Sequence, residues 1–224
     1  MNLCSGEEGR GMMKHSLVLL ALASPAALIA SPAAAANVAQ RYATCVAQSH
    51  PAQARELLQA SSSADLARPY RSLVDDDRCL SQAFGGQAFS ASDEAFSTPT
   101  LRGNLAEQLL LSQSAAIAAL KPLPLEQKRY TRPWFAATGR HPAVDEMAVC
   151  MAATNPAGIA ALMKTSPGSW EEGAAFDALS PALTKCLSAG TKIEVNRQAI
   201  RAALADALYQ RVTNPLLSTA GMKN

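Results

Sequence analysis

Histidine is nearly missing from this chain, with three in 224 residues. One of them, His15, sits beside Lys14 ahead of an apolar stretch, which leaves only His50 and His141 further on. No Gly-x-Ser-x-Gly, phosphate-binding loop, dinucleotide fingerprint or His-Glu-x-x-His occurs. Hydrolytic, nucleotide-dependent and zinc-dependent chemistries therefore have little to work with. Aromatic residues make up 5%, and alanine-rich segments with so few rings favour helices over sheets. Charged residues are 17% against 49% hydrophobic, the balance of a globular chain rather than a disordered one. A net charge of +2 gives no reason to expect nucleic acid as a partner. Long apolar runs are lacking too. The longest, Ser16 to Ala30, is interrupted by Ser24 and Pro25 and falls short of the roughly 20 residues that a bilayer span needs.

That run fits a secretory signal instead. Lys14 and His15 form its basic start, and Ser31-Pro32 with Ala33 to Ala36 supplies small residues for cleavage after Ala36. Residues 1–36 are read as a signal peptide, with translation starting at Met12 or Met13 so that Cys4 is never made. No cysteine stands at the cut to carry a lipid, and no membrane anchor is expected after cleavage.

Beyond the signal, three blocks occur twice in the same order. Cys45, Pro51-Ala52 and Leu57-Leu58 are answered by Cys150, Pro156-Ala157 and Leu162-Met163 at an offset of 105. Cys79-Leu80-Ser81 is answered by Cys186-Leu187-Ser188 at an offset of 107. Leu101-Arg102, Leu105-Ala106-Glu107 and Leu109 are answered by Ile200-Arg201, Leu204-Ala205-Asp206 and Leu208 at an offset of 99. The chain thus reads as two copies of one helical unit, at 37–120 and 142–214, with a connector at 121–141 and a tail at 215–224.

Local signals agree. Asn155 before Pro156 is a helix start, Ser169-Trp170-Glu171-Glu172 is a capping box, and Asn196 can cap a last helix running to about Val212. In the first copy Thr98-Pro99 opens the matching helix, expected to run to Leu120 with Leu101, Leu105 and Leu109 on one stripe. The two long helices should pack on each other near a pseudo-twofold axis. The extended pieces before them, around Phe89 and Lys192 to Val195, could then pair as a short two-stranded β element. Tyr130, Trp134 and Phe135 argue for an ordered connector, because exposing them would be costly.

Four cysteines outside the signal allow three pairings. The duplication selects Cys45 with Cys79 and Cys150 with Cys186, each copy keeping its own bridge. Cys-x-x-Cys spacing is absent, which argues against a metal or redox site. In pattern the chain resembles uncharacterised secreted bacterial proteins built on this duplicated Cys–Asn/His-Pro–Cys–Leu-Arg unit. The resemblance is in pattern only and supplies no activity.

Other polar and aromatic residues have plainer roles. His50 takes the place of Asn155 and is read as a helix cap, and His141 before Pro142 as a helix start. Asp75-Asp76-Asp77 lacks calcium-loop spacing and is read as a solvated run. Arg102 and Glu107, like Arg201 and Asp206, lie five apart and about 140° round a helix, so each should reach a neighbouring loop or helix end. Lys128 to Trp134 mixes basic and aromatic residues but is read as connector packing. The first copy's longer loop before its last helix carries Phe84, Phe89, Asp93, Glu94 and Phe96, a candidate recognition patch or simply a cover for the core.

The expectation is an all-α protein, a tandem duplication of a disulfide-closed unit, with no metal or cofactor. Its expected place is the periplasm or the medium. Its expected role is non-catalytic, binding a protein or peptide or associating with the envelope. The alternative is a hydrolase using His50 or His141.

Overall fold

The computed structural model describes residues 32–85, 96–125, 132–188 and 196–214. The first unit holds α1 (Pro32–Ser49), α2 (Pro51–Gln59), α3 (Ser63–Val74), α4 (Asp77–Phe84) and α5 (Thr98–Leu111). A short α6 (Ser114–Ala118) and a 3-10 turn (Pro133–Ala137) follow. The second unit holds α7 (Pro142–Thr154), α8 (Pro156–Met163), α9 (Trp170–Cys186) and α10 (Arg197–Thr213). Among the described residues the fold is all-α, with no strand. The strand pairing expected around Phe89 and Lys192 to Val195 lies outside them, as do residues 1–31 and the tail.

Helix starts follow local chemistry. Prolines open α2, α7 and α8 where a missing N–H costs nothing. Asn155 Oδ1 accepts from Gly158 N at 3.1 Å and Asn196 Oδ1 from Ala199 N at 2.8 Å. Ser169 Oγ accepts from Glu172 N at 3.2 Å, while the Glu172 carboxylate turns to Gly168 N at 2.7 Å. Gly85, at φ 60°, ends α4 in the left-handed region where a side chain would be strained.

Two elements differ from expectation. The helix predicted over 100–120 stops at Leu111, because Ser112 Oγ and Gln113 Nε2 both donate to Leu109 O and divert it from the helical ladder. The chain then restarts as α6. In the first unit α3 and α4 are separate, whereas α9 runs unbroken through Pro181 over the equivalent span. Asp76 makes the break: its Oδ1 accepts from Arg78 N and Cys79 N at 3.0 and 3.3 Å and starts α4. The second unit has Leu183 at that place and no cap.

The bridges join Cys45 to Cys79 and Cys150 to Cys186, with Cα separations of 5.5 and 5.6 Å. Each ties the first helix of a unit to the helix before its long final one. The two long helices, α5 and α10, cross at the centre. A Cβ on Gly103 would lie 2.2 Å from Ala202 Cβ and 2.3 Å from its Cα, so only glycine permits the approach. Residues Arg201 to Arg211 of α10 are all buried, so this helix is covered on every side. Around the pair pack Tyr42, Val46, Leu57 and Leu58 from the first unit and Met147, Met151, Ile159 and Leu162 from the second, in one continuous core.

Candidate functional site

Three places bring chemically able side chains together: a buried ionic centre, a histidine–aspartate pair and an apolar groove. The ionic centre lies at the α5–α10 crossing. Arg102 Nε donates to Asp206 Oδ2 at 3.0 Å, and Arg201 Nε and Nη2 donate to Glu107 at 2.8 and 2.6 Å. The pairs are reciprocal, each copy's arginine reaching the other copy's acid, as across a twofold interface. Each guanidinium also covers a helix end. Arg102 donates to Leu57 O and Leu58 O at 2.7 and 2.9 Å, and Arg201 to Thr165 O at 2.8 Å. The sequence had each arginine reaching a neighbouring loop or helix end; the partner acid across the crossing is the addition.

Arg140 and Glu172 complete this centre. Arg140 bridges Asp206 and Asp145 at 2.6 and 2.7 Å, and Thr138 Oγ1 donates to Asp145 at 2.7 Å. Glu172 accepts from Arg201 Nη1 at 3.0 Å, and Glu107 also accepts from Gln40 at 3.2 Å. Burial alone would raise the Asp206 carboxyl, but Arg102 and Arg140 together hold it below the usual range. Burial pushes Asp145 up, further than Arg140 and Thr138 bring it down. Arg102 and Asp206 are fully buried and mutually saturated, so the centre joins the copies and presents no open position to a substrate.

His50 stands at the start of α2 but its ring does not cap the helix. Its Nε2 instead lies 2.6 Å from Asp76 Oδ2, which corrects the capping role expected for it. The α4 break is the reason, since it places Asp76 beside the ring. Burial would raise Asp76, but the Cys79 backbone N–H and His50 hold its carboxyl below the ordinary range. The neighbouring Ser49 donates to Cys45 O at 2.6 Å and lies 3.5 Å from Cys79 Sγ. His141 caps α7, its Nδ1 accepting from Ala143 N at 3.2 Å. Among the described residues neither ring has a hydrogen bond to a serine, and no group of three or more His, Cys, Asp or Glu is placed to hold a metal ion.

The groove, about 450 Å³, runs between the end of α5, α6 and the outer face of α8. Leu110, Leu111, Ile117 and Leu120 form one wall, Ala157, Ala160 and Ala161 the other, and Met163 joins them. Its polar lining is Ser114 and Lys164. Leu111 keeps 53% of its surface exposed. The equivalent face of α2 carries Arg55, Glu56 and Gln59 where α8 has Ala160, Ala161 and Lys164. A cavity of about 430 Å³ beside α2 is accordingly lined by Glu56, Gln59, Asp65 and Arg68, with Arg68 paired to Glu56. The apolar groove beside α8 therefore has a charged hollow as its counterpart beside α2.

Of the candidate recognition loop, Phe89, Asp93 and Glu94 lie outside the described residues. Phe96 is buried, edge-on to Tyr42 at 4.9 Å and stacked on Phe84 at 5.7 Å, and Tyr70 donates to its carbonyl at 2.6 Å. These two rings cover the first unit's core. In the connector Trp134 is buried against Phe135 at 4.7 Å, and residues 126–131 lie outside the described set.

Sequence reasoning passed over the groove because alanines carry no motif. The signal available was the difference between the copies at offset 105. Comparison with protein-family models, curated proteins and solved structures returned no match.

Proposed function

We propose that this is a non-catalytic extracytoplasmic binding protein that recognises its partner through the groove between α6 and α8. The two disulfides point to an oxidising, extracytoplasmic compartment. Periplasmic or secreted placement rests in addition on the signal-like residues 14–36. The observation that carries the binding role is the one-sided groove, about 450 Å³ of mainly apolar lining with few polar groups, as small ligand sites have. Shared residues of the copies serve packing, whereas the groove between α5, α6 and α8 has an apolar α8 wall with no counterpart on α2.

A photo-crosslinking residue at position 161, expressed in the native envelope, tests this. Specific adducts from position 161, absent from position 56 on the equivalent face, are the expected outcome. Equal or no labelling at both positions contradicts it.

The His50–Asp76 contact favours a second reading, a hydrolase with His50 as base. Ester, amide and glycoside turnover that disappears in His50→Ala would establish that reading.

A further inference from the structure

Resting on the binding role just described, we infer that the groove takes a single aliphatic chain ending in a carboxylate, with Lys164 meeting the head group. An extended peptide brings an N–H and a C=O with every residue, and burying these unpaired is costly. Among its side chains the lining offers only Ser114 and Lys164 to meet them, and no sheet edge is present among the described residues. A hydrocarbon chain brings no such demand. It is matched by Leu110, Leu111, Ile117 and Met163, and the alanines of α8 leave it room.

Charge selects the head group. Lys164 is the sole ionisable residue of the lining, is exposed, and has no ion-pair partner among the described residues. The carbonyls at the end of α8 would repel an anion, but Arg201 already donates to Thr165 O at 2.8 Å beside them. The pseudo-equivalent α2 face has Arg55 and Glu56 at the places of Ala160 and Ala161 and would reject the apolar chain.

The test uses the mature chain, residues 37–224, with dodecanoate below its micellar range, followed by calorimetry. Dodecyltrimethylammonium, with the same tail and the opposite charge, is the comparison, beside an apolar capped peptide. Dodecanoate should bind at one site, more tightly than the cation. Lys164→Glu should weaken dodecanoate by about fivefold or more, the scale of an exposed ion pair. Ala161→Trp should fill the groove and reduce binding at least about tenfold. Lys164 is exposed, so its variant stays informative if Ala161→Trp fails to fold. Equal binding of anion and cation, or no effect of Lys164→Glu, overturns the inference. Peptide binding lost in Ala161→Trp, with dodecanoate inert, overturns it but preserves the binding role. Inertness of all three probes, with no crosslinked partner at position 161, removes both.

Discussion

Gly103→Ala sets two effects of opposite sign against each other. Alanine is the better helix former by about 1 kcal/mol, so on an open helix face the substitution stabilises. At Gly103 the new Cβ would stand 2.2 Å from Ala202 Cβ and 2.6 Å from Ala202 O, where ordinary contact begins at 3.4 Å. The helices must separate by roughly 1 Å, and the obstacle is backbone rather than a flexible side chain. Overpacking of this kind costs about 3 kcal/mol, and the propensity gain leaves a net loss of about 2. For a chain of this size that lowers the melting temperature by about 4–8 °C. Gly173→Ala is the control, since its nearest neighbour is Arg197 Nη1 at 3.6 Å; it should be neutral or stabilise by up to about 1 kcal/mol. Adding Ala202→Gly to Gly103→Ala moves the glycine to the other copy and should restore part of the loss. Thermal unfolding followed by circular dichroism reads all four proteins. If Gly103→Ala equals or exceeds the parent while Gly173→Ala behaves as stated, the close α5–α10 crossing is wrong.

Other consequences concern the ionic centre, the bridges and acid. Asp206→Asn leaves Arg102 and Arg140 facing a neutral amide and should cost about 3–5 kcal/mol in denaturant unfolding, against less than about 1 for Glu56→Ala at the exposed Arg68 pair. Non-reducing peptide mapping should find only Cys45–Cys79 and Cys150–Cys186. Removing the first pair should cost up to about 4 kcal/mol, the loop-entropy value for its separation of 34 residues. Asp76 and Asp206 have lowered native pKa values, so their stabilisation is present above the ordinary carboxylate range and lost as pH falls through the native values. Melting temperature should therefore drop from about pH 5 toward pH 2, less steeply in Asp76→Asn; Asp145, raised by burial, acts in the opposite sense.

Much of the scaffold was legible because duplication states the same constraint twice. Recurrence of the cysteines selected one pairing of three, and Asn155, Ser169 and Asn196 marked helix starts through a local bond that needs no tertiary information. The 140° between Arg102 and Glu107 correctly turned each arginine outward from its own helix. The destination was not legible, because the crossing at Gly103 decides which acid it meets. His50 escaped the sequence for the same reason: its partner Asp76 arrives through a helix break that only the first copy has. The groove was hardest to see. It is made by side chains that are missing, and periodicity reports those that are present.

Amide hydrogen exchange on residues 37–224, with and without saturating dodecanoate, tests the central claim that the groove between α5, α6 and α8 takes an aliphatic carboxylate. Added protection should be confined to peptides covering Leu110–Leu120 and Ala157–Lys164, with Arg55–Gln59 unchanged. Protection centred on His50 and Asp76, equal protection of the α2 face, or none anywhere would contradict it.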